Sequence, residues 1–193
     1  YRAHEYTVEG DWSSAAFLLV AGATAGRVTV NGLNLNSMQA DKAILTVLNE
    51  AGAALFTAPG TVTSSLSELH SFTFDATNSP DLFPPLAALA ASCEGISSIR
   101  GVGRLRHKES DRAMAIADAL EAMKIKVEIS GDEMLITGGR VQGAVVSSHN
   151  DHRIAMMASV MAAGATTPVT VTGAEAVAKS YPGFYNDMGR LGA

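Results

Sequence analysis

Three aspartates, Asp11, Asp81 and Asp151, recur at intervals of 70 residues, and each stands just before an apolar, alanine-rich stretch of helical character (14–22, 86–93 and 154–164). Self-similarity of this kind constrains architecture before any single residue does, because a chain that writes one unit several times stacks its copies around a shared core. Each stretch leads into a short strand that ends in glycine: 27–32, 96–101 and 169–173, closing on Gly32, Gly101 and Gly173. A loop and a second helical segment follow, at 40–51, 110–123 and about 185–191. Two copies then continue into short alternating strands, at 55–57, 62–64 and 72–74 and again at 126–129, 134–137 and 145–147.

The unit therefore reads helix, strand, helix and a few strands. Residues 11–80 and 81–150 carry it complete, whereas 151–193 lacks the closing strands, which leaves a sheet edge and an apolar face without partners. Another segment should supply them, and residues 1–8 hold at most one strand. The first helix of each unit is apolar nearly all round, as in 15–21 and 154–163, and such helices belong inside. The expected fold is an α/β, inside-out barrel of about three repeated units, its buried helices surrounded by small mixed sheets.

Composition narrows the function. Of 193 residues 47% are apolar, enough for a substantial core. With 14 Lys and Arg against 19 Asp and Glu the formal charge is −5, which argues against a general nucleic-acid binder. The longest apolar stretch, 15–23, is far short of the roughly 20 residues a membrane span needs. Cys93 is the one cysteine, so no intrachain disulfide is possible and a reducing cytoplasm is the default compartment. A chain that opens on Tyr1 without a leader behind it is expected to be a processed protein or, in preference, a piece of a longer one.

Repetition also places equivalent loops at one end of the domain. Those loops carry Asp11, Asp81 and the run Asn150-Asp-His-Arg153, together with Ser37-Met-Gln39, Lys108-Glu-Ser-Asp-Arg112 and Lys179. Helix N-termini gathered there favour an anion. Five of the cations, Arg100, Arg104, Arg106, Lys108 and Arg112, lie within 13 residues of an otherwise acidic chain, and a phosphate or carboxylate ligand explains them economically. Arg112 and Arg153 can fork onto such oxygens, while Lys108 and Lys179 can act as point charges or proton carriers. The plainer alternative is surface pairing with Glu109 and Asp111. Asp11 and Asp151 read as N-caps. Asp81, after Pro80 and facing the cationic loops, suits a base that accepts a hydroxyl proton, and Glu109 is a second carboxylate or simply a helix-dipole partner. Cys93, placed in the second apolar helix, reads as a small buried hydrophobe. No histidine has metal-ligand spacing, His149 with His152 forming only a weak pair, and no metal is expected. Neither Gly101-Val-Gly103 nor Gly138-Gly139 completes a nucleotide-binding fingerprint.

Several of these runs, in order along the chain, resemble the 5-enolpyruvylshikimate-3-phosphate (EPSP) synthases: Gly10-Asp-Trp-Ser-Ser-Ala15, Asn36-Ser-Met-Gln39, Pro80-Asp81, Lys108-Glu-Ser-Asp-Arg112, Asn150-Asp-His-Arg-Ile-Ala-Met156 and Ala178-Lys-Ser-Tyr-Pro182. The resemblance runs from about Val8 onward and concerns the C-terminal of two similar inside-out domains. It implies a single domain over 1–193, with the N-terminal domain absent, and transfer of the enolpyruvyl group of phosphoenolpyruvate to the 5-hydroxyl of shikimate 3-phosphate, with no cofactor. It further implies that Asp81 contacts shikimate and takes its proton, that Lys108 helps hold shikimate 3-phosphate, and that Glu109 assists proton traffic at the enol carbon. Arg112, Arg153 and Lys179 would clamp phosphoenolpyruvate. A family position that often touches the shikimate ligand is Arg104 here, a departure that keeps it outside the expected site. The expected partners are these two substrates and the N-terminal domain of the same protein, which is a monomer when full length and binds neither nucleic acid nor membrane. A sister transferase acting on UDP-N-acetylglucosamine and a non-catalytic anion-binding module are the alternatives, though the KESDR-type and NDHR-type runs favour the shikimate enzyme.

Overall fold

The structure, a computed structural model, describes residues 2–5, 7–106 and 108–190. Asp11 starts the first helix, accepting from the backbone N–H groups of Ser13 (3.2 Å) and Ser14 (3.0 Å), and α1 runs Trp12–Ala25. There follow β1 (Arg27–Asn31), a 3-10 turn at Ala40–Ala43, α2 (Ile44–Glu50), β2 (Ala54–Ala58), β3 (Thr61–Ser65) and β4 (Thr73–Asp75). The second unit opens with a 3-10 turn at Pro80–Leu82 and continues through α3 (Phe83–Ala91), β5 (Ile96–Arg100), α4 (Arg112–Ala122), β6 (Lys126–Ser130), β7 (Glu133–Thr137) and β8 (Val145–Ser147). The third contributes α5 (His152–Ala163), β9 (Thr170–Thr172), a 3-10 turn at Ala174–Lys179 and α6 (Phe184–Arg190). Position 191, the expected end of this last helix, lies outside the described residues.

The helices that begin each unit form the centre. All nine residues of α3 are buried, and α1, α3 and α5 pack against one another pairwise. Pro84 and Pro85 are accommodated because they sit in the first turn, where backbone N–H groups have no helical acceptor. Small sheets surround the three helices, so the expected α/β inside-out barrel is the observed fold. The glycines that end the central strands share a reason: Gly32, Gly101 and Gly173 adopt φ of +83°, +105° and +70°, where a side chain is strained. Among the described residues no helix is long and apolar enough to cross a membrane.

Two details differ from expectation. The closing strands do not all stay with their own unit: the sheets are β1-β3-β2, β4-β5-β7-β6 and β8-β9, with β4 parallel to β5 and β8 parallel to β9. Parallel neighbours require a crossover, and the buried helices α3 and α5 are those crossovers, so each last strand is passed to the following unit. Second, α3 ends at Ala91, and Cys93 falls just beyond it in a closing turn where Ser92 N–H donates to Leu89 O (2.9 Å) and Cys93 N–H to Ala90 O (3.2 Å). The Cys93 thiol is buried, donates to Leu89 O at 3.3 Å, and is pushed up to about 12 by burial, which leaves it inert near neutrality.

Candidate active site

The aspartate turn of the second unit supplies the centre of the site. Ser79, not Asp81, occupies the cap position of the Pro80–Leu82 turn, and no side chain bonds to its N–H groups, so the Asp81 carboxylate is free to face outward from it. There it meets three cations. Its Oδ1 accepts from Lys108 Nζ (3.2 Å) and Arg112 Nη1 (2.8 Å), and its Oδ2 accepts from Arg153 Nη2 (3.2 Å). Burial raises the Asp81 carboxyl, and Arg153, Lys108 and Arg112 together outweigh it, so the group titrates below the ordinary carboxylate range and is ionised near neutrality.

Arg112, the first residue of α4, is completely buried. Its Nε and Nη2 fork onto Asp151 at 2.8 and 3.2 Å, Nη2 also bonds to Glu109, and Nη1 goes to Asp81. The plainer alternative of surface pairing holds in part: Arg112 does pair with Glu109, which is exposed, but the arginine itself is buried, and Asp111 instead caps α4 through Met114 N–H at 3.4 Å. Arg153 follows Asp151 by two residues, its backbone N–H capped by Asp151 Oδ1 at 2.9 Å, while its buried Nε has no partner. Lys179 is the outlying member. It is exposed and donates to the carbonyl of Asn150 at 2.5 Å, which attaches it to the turn that carries Asp151 and Arg153. That turn is held in an uncommon backbone conformation, with φ of +50° at His149 and +57° at Asn150.

Of the six residues singled out from the sequence, Asp81, Lys108, Glu109, Arg112 and Arg153 therefore form one connected cluster, with Lys179 at its border. Arg104 is exposed and joins no ion pair among the described residues. Three further groups join the site that the sequence did not single out as members of it. Asp151 is an N-cap as expected, but it is also the principal counter-ion of Arg112; burial raises its carboxyl, and the hydrogen bonds and charge of Arg112 outweigh that. His152 lies buried with Nδ1 3.8 Å from Glu109 Oε1, and burial, then Arg153, lowers it below the ordinary histidine range. Asp41 is buried in the first unit, bonded to Ser13 Oγ, and raised by that burial. The position of Asp151 and His152 inside the NDHR run was the only sequence signal for the first two, and Asp41 had none.

Comparison with known proteins gives the family. The family model described as EPSP synthase (3-phosphoshikimate 1-carboxyvinyltransferase) matches residues 2–188. The chain belongs to the EPSP synthase family. It is 46% identical over 187 residues to the 3-phosphoshikimate 1-carboxyvinyltransferase of Aeropyrum pernix, covering 96% of this chain and 44% of that protein. It is likewise 46% identical over 186 residues to that of Thermococcus kodakarensis, of which it covers 46%. Among solved structures, an EPSP synthase from Acinetobacter baumannii superposes with a TM-score of 0.84 at 32% identity, over 95% of this chain and 46% of the other. The chain thus spans about half the length of the curated EPSP synthases it matches.

Proposed function

We propose that the chain is the C-terminal domain, residues 1–193, of a shikimate-pathway transferase that moves the carboxyvinyl group of phosphoenolpyruvate onto the 5-hydroxyl of shikimate 3-phosphate, releasing phosphate. The observation that carries this is the Asp81 carboxylate held by Lys108, Arg112 and Arg153. An ionised acid among cations is what the chemistry asks for: a base for the hydroxyl proton beside a receptor for two anionic substrates.

Asp81 accepts the 5-hydroxyl proton as that oxygen attacks C2 of phosphoenolpyruvate, and an acid delivers a proton to C3. The tetrahedral product still carries phosphate. Its collapse expels that phosphate and returns the C3 proton, and Glu109, across from His152, is placed for this traffic. Lys108 holds shikimate 3-phosphate. Arg153 and Lys179 take the phosphate and carboxylate of phosphoenolpyruvate, and because cations on that phosphate serve both addition and expulsion, they stabilise both transition states. Arg112 differs, since its side chain exposes nothing and already serves three carboxylates, so it engages a ligand only by exchanging its bond to Asp81 or Glu109.

Half a protein of this family holds part of a site, so the N-terminal domain of the same protein is the partner, the place of work is the cytoplasm, and no cofactor takes part. Mixing this chain with a separately produced N-terminal half and following phosphate release tests the proposal. Turnover should need both halves and shikimate 3-phosphate, and should vanish with Arg153→Glu. Turnover with UDP-N-acetylglucosamine instead, full activity from the chain alone, or anion binding indifferent to charge reversal at Arg112 and Arg153 would each overturn it.

A further inference from the structure

The segment that enters each buried helix lies against the strand that follows it. Gly10 N–H donates to Gly32 O, Ala76 N–H to Arg100 O and Ser148 N–H to Thr172 O, each at 3.0 Å. In the second and third units the turn then closes alike, Ser79 N–H on Ala76 O (3.0 Å) and Asp151 N–H on Ser148 O (2.8 Å). The corresponding positions are thus Gly10, Ala76 and Ser148, and of these only Ser148 carries a hydroxyl. Ala76 is fully buried, so the turn forms without one. Ser148 is buried too, with 1% exposed, so its hydroxyl faces no solvent and needs a reason of its own.

Its partners supply that reason. Ser148 Oγ donates to Gly173 O at 2.9 Å and accepts from Asn150 N–H at 3.1 Å. Gly173 starts the 3-10 turn Ala174–Lys179, and from the far end of that turn Lys179 Nζ returns to Asn150 O at 2.5 Å. The bonds close a ring, from Ser148 to Gly173, along the turn to Lys179, across to Asn150 and back to Ser148. One side of the ring carries Lys179, and the other leads into Asp151 and Arg153. Asn150 is exposed and held at φ +57°, so these bonds rather than packing orient its peptide groups. The contact is close: a Cβ added at Gly173 would stand 2.5 Å from Ser148 Oγ.

We propose that Ser148 is a positioning residue: its hydroxyl ties the turn carrying Arg153 to the turn carrying Lys179, so that the two cations receive an anionic group as one clamp. The role rests on the function proposed above for those cations, as receptors for phosphoenolpyruvate. Ser148 is too deeply buried to meet the ligand itself. Gly173 O keeps a second donor in Ala176 N–H (3.1 Å), so loss of the hydroxyl deprives only the N–H of the exposed Asn150. The cost therefore falls on the geometry of the clamp more than on the stability of the fold.

Ser148→Ala in the full-length protein tests this, since it copies Ala76 and keeps the turn. KM for phosphoenolpyruvate should rise about tenfold while KM for shikimate 3-phosphate stays within about twofold, whereas a merely structural defect would move both together. Gly173→Ala drives a methyl into the hydroxyl and should raise KM for phosphoenolpyruvate at least as much. Adding Ser148→Ala to it should give back part of that loss, because the new Cβ then meets only the Cβ of residue 148, at 3.7 Å. Inorganic phosphate, titrated calorimetrically, needs no turnover: Ser148→Ala should weaken its binding about tenfold, and not in a Lys179→Met background. That pattern in a protein that transfers no carboxyvinyl group would sink the proposed function and still support the role of Ser148. Unchanged KM and phosphate affinity in Ser148→Ala, an equal rise in both KM values, or the same weakening with Lys179 replaced would overturn it.

Discussion

Asp151 and Asp81 occupy corresponding turns 70 residues apart, and both bond to Arg112. Asp151 is fully buried, caps α5 through Arg153 N–H, and closes on the guanidinium with two further bonds. Asp81 leaves about a third of its side chain exposed (32%), caps no helix, and faces Lys108, Arg112 and Arg153. The difference begins in the turn. At Asn150-Asp151 the backbone offers the carboxylate a helix N–H, whereas Pro80 begins a 3-10 turn that Ser79 precedes, and the acid is left with side-chain partners only. A carboxylate spent on its own backbone serves the fold, and one without such donors stays available to a substrate.

The contrast can be broken by mutation, and the largest effect is expected at Asp81. Asp81→Ala in the full-length protein should lower kcat by roughly 10²–10⁴-fold, the usual contribution of a positioned base, while the thermal unfolding midpoint falls less than it does on Asp151→Ala. Steady-state phosphate release and calorimetry on the same preparation decide it, and a variant that unfolds yet turns over would reverse the two roles. Asp151→Ala should do the opposite in kind, costing about 3–5 kcal/mol of stability because it leaves Arg112 buried without its main counter-ion. Denaturant titration reads this, and Asp151→Asn, which keeps a capping side chain, should recover about 1 kcal/mol of the loss.

Acid sharpens the comparison further. His152 and both carboxyls titrate below their ordinary values of 6.5 and 3.8, so as the pH falls the unfolded chain takes up each proton first. The stability they confer is complete above the ordinary histidine value, declines as the pH drops below it, and declines again below the ordinary carboxylate value. Stability measured against pH should therefore fall in two stages, and Asp151→Asn should flatten the acid stage more than Asp81→Asn, because the Asp81 carboxylate is partly in water whereas Asp151 is fully buried. The smallest effect belongs to Asp11, a solvent-exposed cap with no arginine: Asp11→Ala should cost about 1 kcal/mol in the same titration, and no change at all would argue that α1 is held by packing alone.

Much of this was legible in the residues. The 70-residue interval, the all-apolar helices and the glycine-ended strands follow from local periodicity, and local periodicity survives into the structure because 3.6-residue and two-residue patterns state which faces are buried. Cys93 was readable as inert from its neighbours even though its helix ends two residues sooner. The clustering of Lys108, Glu109 and Arg112 was visible because they are adjacent in the chain. Asp41, by contrast, looks like any acid at the start of a short helix, and only its burial against Ser13 sets it apart.

What the order of amino acids determined alone was the repeated unit, its buried helices and the loops in which charge gathers. The tertiary structure decided which strand joins which sheet, passing β4 and β8 forward across a buried helix, and which acid holds which base. Arg112 meets Asp81 and Asp151 from 31 and 39 residues away. Partners so distant are chosen when packed helices bring their ends together, and burial then makes each unpaired charge costly enough to fix the pairing.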